Sequence, residues 1–169
     1  IVEHVVIIGG VAGGMSAASK LRRLNKEVKI TVFEKDEHVS YGACGLPYYI
    51  SGVTESHEQL LARSIEDFEE RNIKVHTLME VIEVNSLEKS IIVKNLKSNK
   101  SKKVEYDKLL VATGSKPIIP NFIPKNSKNV FILKTLRDGI EMREFFQQKS
   151  VQKVLIIGAG YIGMELLET

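Results

Sequence analysis

The chain has 169 residues, with 24 Lys and Arg against 21 Asp and Glu, a formal charge of +3 and a single cysteine. That length holds one sizeable core, or one domain and the beginning of another, and the near balance of charge implies no nucleic-acid partner. One cysteine argues against a disulfide-stapled secreted scaffold and suits a reducing, cytoplasmic compartment; no apolar stretch is long enough for a membrane span, and no metal site is read from the residues.

Val5 to Ile8 is a short β-branched run ending at glycine, as in a strand buried on both faces of a parallel sheet. Gly9, Gly10, Gly13 and Gly14 interrupt the apolar start and its positive charges follow the apolar run, so it reads as strand and turn and not as a targeting segment. A helix follows in GGVAGGMSAASKLRRLN, with Gly9 at the tight turn and Gly14 where helix meets strand. Glycines there let backbone approach a pyrophosphate, whose charge the helix N–H groups bind. Gly9, Gly10, Val11, Ala12, Gly13 and Gly14 are therefore candidate nucleotide contacts, although Val11 stands where the G-x-G-x-x-G fingerprint has its second glycine. The second predicted strand, Val28 to Phe33, delivers Glu34, whose carboxylate can accept both ribose hydroxyls of an adenosine.

Next comes SYGACGLPYYISG, Ser40 to Gly52, which holds Cys44. A lone cysteine closes no internal disulfide, so redox work requires an external thiol or a sulfenic acid; taken by itself it reads as a small buried apolar residue. Pro47 just inside a short helix would set Cys44 at a helix N-terminus, where the dipole favours thiolate. Ser40 is a candidate hydrogen-bonding partner of the sulfur or of an incoming disulfide.

Ser64 and Asp67 predict a capped helix from Ile65 to about Asn72, and Lys74 to Thr77 a strand. Glu80 to Val84, Ser90 to Leu96 and Lys103 to Tyr106 alternate as an antiparallel meander, its lysine-rich turn at 98–103 solvated. Leu109 to Ala112 is a further strand, running into Thr113, Gly114 and Ser115. Pro117, Pro120 and Pro124 mark a connection, Leu136 to Gln148 a helix and Val154 to Ile157 a strand. That strand opens GAGYIGMELLE, where Gly158, Gly160 and Gly163 complete the full fingerprint, an internal repeat of the first. Two nucleotide turns in one chain suggest hydride transfer between a held cofactor and an exchanging one. Residues 1–120 are read as the first domain and 121–169 as a connection with the beginning of a second. A chain starting at Ile1 without methionine and stopping in a helical run at Thr169 is expected to be a portion of a larger protein.

These residues resemble the FAD-dependent pyridine nucleotide-disulfide oxidoreductases, and within them the single-cysteine branch of coenzyme A disulfide reductases and NADH oxidases. The continuation of Cys44 by Leu46, Pro47 and Tyr48 is its most specific part, and it tilts the resemblance toward a thiol substrate. The fold implied is α/β, a Rossmann-like FAD-binding fold with an antiparallel meander followed by the start of a second, NAD(P)-binding one. The resemblance places FAD against Gly9 to Gly14, Glu34, Lys35, Val81, Ala112, Thr113 and Gly114, and NADH or NADPH against Gly158, Gly160, Tyr161, Ile162, Gly163 and Glu165. Coenzyme A disulfide, or another small thiol or persulfide, would meet Ser16, Lys20, Arg23, Ser40 and Arg71. It implies a homodimer for the full-length protein. Ala43 departs from the asparagine that often precedes the cysteine in related reductases. Alternatives are an NADH oxidase or peroxidase cycling through sulfenic acid, and a flavin electron-transfer reductase in which Cys44 is structural.

Overall fold

A computed structural model describes residues 2–123 and 127–168; Pro124 of the predicted connection lies outside the described residues. The elements are β1 (His4–Ile8), α1 (Ala12–Leu24), β2 (Lys29–Phe33), α2 (Leu46–Ser51), α3 (Ile65–Glu69), β3 (Ile73–His76), β4 (Met79–Asn85), β5 (Ser90–Asn95), β6 (Ser101–Glu105), β7 (Lys108–Val111), α4 (Leu136–Gln148) and α5 (Tyr161–Glu165). They form two compact units, Ile1–Tyr41 with Leu61–Gly114 and Gly42–Leu60 with Ser115–Thr169.

The first unit carries a parallel sheet in the order β3-β2-β1-β7 and an antiparallel sheet in the order β4-β5-β6. Ile8 lies in register with Phe33 and with Val111, and Phe33 with His76, so the carboxyl ends of all four parallel strands line up. The strand order reverses between β1 and β7, the place where open α/β sheets bind their ligands. Strand alternation sorts the core onto two faces. Ile30, Val32, Ile73 and Val75 meet Met15 and Ala18 of α1 and Phe68 of α3 on one face, while Val6 and Phe33 meet Met79, Ile91 and Val93 of the meander on the other.

Local chemistry sets the ends of elements. The Ser64 hydroxyl accepts from the Asp67 N–H at 3.2 Å and the Asp67 carboxylate from the Ser64 N–H at 3.0 Å, a reciprocal cap that opens α3. The helix expected to reach about Asn72 ends at Glu69, because Asn72 adopts a left-handed backbone with φ 56°, which breaks helical continuity. β4 bulges between Val81 and Glu83, where its register against β5 shifts.

In the second unit α2 rests on α4. Leu46, Pro47, Tyr49 and Ile50 of α2 are buried, as are Leu136, Gly139 and Met142 of α4. Thr135 and Asp138 form the cap of α4. The strand expected over Val154 to Ile157 is not formed: that stretch pairs with no described strand, and Val154, Leu155 and Ile157 are exposed. An apolar β-branched run takes up a ladder only where a second strand offers its N–H and C=O groups, and no described segment does so here.

Candidate functional site

Gly9 closes β1 with φ 106°, and a Cβ there would lie 2.2 Å from the Ala112 carbonyl oxygen. At Gly14 a Cβ would lie 1.8 Å from the Gly9 carbonyl oxygen. Both glycines are thus demanded by the protein's own backbone. Gly13 is different: a Cβ there would meet only the Ala112 methyl at 3.7 Å, an ordinary contact. The fold tolerates a side chain at Gly13, so the smallest residue there leaves open space beside the start of α1. No side chain caps α1 and its first turn carries no acid, so helix geometry leaves the leading N–H groups of Ala12, Gly13 and Gly14 for an anion. Val11, at the position of the missing glycine, has a negative φ of −100°, so the turn does not ask this position for glycine's left-handed freedom. This is why an imperfect fingerprint still makes the turn.

Glu34 is buried at the carboxyl end of β2. One carboxylate oxygen accepts from the Gly10 N–H at 2.6 Å and the other from the Asp36 N–H at 2.9 Å. Each oxygen keeps a further acceptor position for a ribose hydroxyl. The backbone around it is tied to the next strands, Glu34 N–H donating to the His76 carbonyl at 2.8 Å and Met79 N–H to the Glu34 carbonyl at 2.9 Å. The start of β4, with half-buried Val81, is thereby held at the same sheet edge as Glu34; Lys35 beside it is exposed. Ala112 follows β7 directly, its N–H donating to the Ile8 carbonyl at 2.8 Å, and Thr113 and Gly114 continue exposed, Gly114 with φ 67°. The glycine turn, Glu34 and the segment after β7 therefore converge on one edge, and these residues fit an adenine dinucleotide.

Ser40 also belongs to this edge: its N–H donates to the Gly10 carbonyl at 2.9 Å, its carbonyl accepts from Ala62 N–H at 2.7 Å, and its φ is 52°. Ser16, Lys20 and Arg23 are exposed and spaced to share one face of α1, while exposed Arg71 follows α3. Arg22, which sequence reasoning passed over, is the half-buried member of the basic run. Its guanidinium donates to the carbonyls of Lys26 at 2.6 Å, Val28 at 2.7 Å and Asn72 at 2.7 Å. It joins the end of α1 to β2 and to the turn after α3. Arg22 also lines a cavity of about 590 Å³ at the start of β2, with Lys26, Lys29 and Lys74, which contains none of the candidate residues.

Cys44 is exposed. It sits in a 3-10 turn, Ala43–Gly45, that runs straight into α2, with Pro47 in the first helical turn. Gly42 N–H donates to the Leu60 carbonyl at 2.9 Å, and a Cβ at Gly45 would meet the Leu60 side chain at 2.5 Å. Leu60 thus seats the cysteine turn, a relation invisible in sequence because the two lie on opposite arms of a loop.

The second glycine turn repeats the first. Gly158 has φ 111°, and a Cβ at Gly163 would lie 2.2 Å from the Gly158 carbonyl oxygen. A Cβ at Gly160 would meet nothing within 4 Å. Tyr161, Ile162 and Glu165 lie exposed on α5, and Glu165 borders a small cavity of about 140 Å³ with Pro47, Tyr48 and Ser51 of α2.

Two glycine turns of matching backbone geometry and one exposed thiol are the features on which a comparison with known proteins bears. The family described as pyridine nucleotide-disulphide oxidoreductase matches residues 3–169, and the chain belongs to it, a family of FAD-dependent enzymes that use NADH or NADPH. The chain is 36% identical over 167 residues to the coenzyme A disulfide reductase of Staphylococcus haemolyticus, covering 98% of this chain and 37% of that protein. Among solved structures it is similar to reduced Bacillus anthracis CoADR-RHD, with TM-score 0.93 and 36% identity over 99% of this chain and 30% of that one. It is also similar to the water-forming NADH oxidase from Lactobacillus brevis bound to NADH, with TM-score 0.92 and 26% identity over 98% of this chain and 36% of that one. The chain thus spans between 30% and 37% of the length of these relatives.

Proposed function

We propose that the full-length protein is an FAD-containing, NAD(P)H-dependent reductase of coenzyme A disulfide that works through Cys44. The observation that carries this reading is the exposure of Cys44 at the head of α2, where a small disulfide can reach its sulfur. The resemblance to coenzyme A disulfide reductases supports that acceptor. FAD is assigned to Gly9–Gly14, Glu34, Lys35, Val81 and Ala112–Gly114, and the nicotinamide dinucleotide to Gly158–Gly163 and Glu165. Residues 1–120 are accordingly read as the FAD domain and 121–169 as the connection and start of the NAD(P) domain. Bound FAD supplies the two-electron relay between a nicotinamide hydride and sulfur. The Cys44 thiolate attacks one sulfur of the disulfide, breaking its S–S bond, expelling one coenzyme A thiolate and forming a mixed disulfide with the other half. Two electrons and one proton then cleave that bond, releasing the second thiol and restoring the Cys44 thiolate. Ser40 is assigned a hydrogen bond to the reacting sulfur, and Ser16, Lys20, Arg23 and Arg71 the phosphates of coenzyme A. A homodimer in the cytoplasm completes the proposal.

Replacing Cys44 with serine in the full-length protein is expected to lower disulfide reduction by about 10³-fold or more while bound FAD, read by absorbance, is unchanged; retained turnover overturns the assignment. The similarity to the Lactobacillus brevis oxidase favours one rival, a Cys44 that cycles through sulfenic acid to reduce oxygen. Oxygen uptake that exceeds disulfide reduction and ignores coenzyme A disulfide selects that rival.

A further inference from the structure

The cysteine helix α2 is six residues long, too short to hold its own geometry in water, so whatever positions Cys44 must come from its neighbours. Two contacts from α4 meet its two ends. At the first end, Gly139 lies so close to Leu46 that a Cβ there would be 2.9 Å from the Leu46 Cδ2. At the second end, the Arg143 guanidinium stands 4.4 Å above the Tyr49 ring centroid and donates to the Thr54 carbonyl at 2.8 Å. Thr54 is itself part of the helix ending, its N–H donating to the Tyr48 carbonyl at 2.9 Å, next to Gly52 in a left-handed cap. A cation stacked on an aromatic face and donating to a carbonyl beside it fixes both the rotation and the axial position of the helix.

From this we infer that Arg143 and Gly139 are positioning residues for Cys44: α4 acts as a brace that sets where the thiol stands. The inference rests on the reading of Cys44 as the redox residue. Neither residue touches the thiol, and their effect is exerted through α2.

Misplacing a reacting group by about 1 Å costs up to about a hundredfold in rate, whereas an exposed thiol keeps its reactivity toward a small reagent that needs no orientation. In the full-length holoenzyme, Arg143→Met is expected to slow re-oxidation of the reduced enzyme by coenzyme A disulfide about tenfold or more. The rate at which NAD(P)H bleaches the flavin, the FAD content and the rate of Cys44 alkylation by iodoacetamide stay within twofold. Hydrogen exchange of the 46–54 peptide rises, and Arg143→Lys recovers part of the lost rate because it keeps a cation over Tyr49. Gly139→Val, which pushes on Leu46, lowers the same half-reaction. Equal slowing of both half-reactions, or loss of FAD, marks a general structural role and overturns the brace; so does an unchanged re-oxidation rate. Cys44→Ser run alongside separates the two readings. If it retains turnover, the proposed function falls and the positioning role falls with it; if it is inactive while Arg143→Met matches wild type, only the brace falls.

Discussion

Gly13 and Gly14 are neighbours in sequence with opposite reasons for being glycine. A Cβ at Gly14 would collide with the Gly9 carbonyl oxygen at 1.8 Å, and backbone cannot swing aside as a side chain can. Gly14→Ala is therefore expected to cost about 3 kcal/mol of stability, read as a lower denaturant midpoint. At Gly13 the corresponding contact is 3.7 Å from a methyl group, so Gly13→Ala should leave stability within about 0.5 kcal/mol. Its effect should fall on the ligand: purified protein carrying Gly13→Ala holds less FAD, measured as the ratio of flavin to protein absorbance. Full FAD occupancy in that variant would remove Gly13 from the pyrophosphate site. The two outcomes together separate a glycine needed by the chain from one needed by its cofactor.

At the scale of elements, the face of the parallel sheet opposite α1 carries two histidines among lysines. His4 Nε2 lies 2.9 Å from the Thr31 hydroxyl, and His76 stacks on Phe33 with ring centroids 5.3 Å apart. Burial, and then Lys29, push the His4 pKa below its ordinary value; burial, then Lys102 and Lys74, do the same at His76. A hydrogen bond to the Glu105 backbone and then Asp107 oppose the shift at His4, and Glu69 opposes it at His76, without reversing it. Above the unfolded value of about 6.5 both states are neutral at these sites and nothing is lost. As pH falls below it the unfolded chain takes up protons first, so stability declines until the folded histidines also titrate. Denaturant melts at pH 7.5 and 5.5 should show this loss, and His76→Phe, which keeps a ring on Phe33 but binds no proton, should lose less. An identical loss in the variant would assign the pH dependence elsewhere.

On the scale of the whole molecule, the chain carries the same glycine turn twice, with φ 106° at Gly9 and 111° at Gly158. The copies differ in their surroundings: β1 pairs on both sides, with β2 and β7, whereas 154–157 pairs with no described strand. If the two turns serve two cofactors, they should be separable in the full-length protein. Gly160→Ala adds a Cβ into open space and so should fold and hold FAD normally. Its KM for NAD(P)H should rise about tenfold as the methyl group meets the pyrophosphate. Steady-state kinetics with flavin content as the control checks this, and an unchanged KM would detach the second turn from the nicotinamide dinucleotide.

Much of this protein was legible from sequence because its signals are local. A β-branched run ending at glycine marks β1, short apolar runs mark β2 and β7, Ser64 with Asp67 marks the cap of α3, and paired fingerprints mark the two glycine turns; each depends on residues a few positions apart, where backbone sterics act directly. The lone thiol and the Pro47 helix start were legible in the same way. What needed the tertiary structure were relations between distant residues. A basic run reads alike at Arg22 and Arg23, yet only packing decides that Arg22 holds the carbonyls of Val28 and Asn72 while Arg23 is left exposed. Strand formation at 154–157 depends on a partner that no propensity supplies. The setting of Cys44 is likewise a tertiary matter: its residue type and turn are written locally, but Leu60 and α4 fix the turn and the helix behind it, because a helix of that length has no stable geometry until something packs against it.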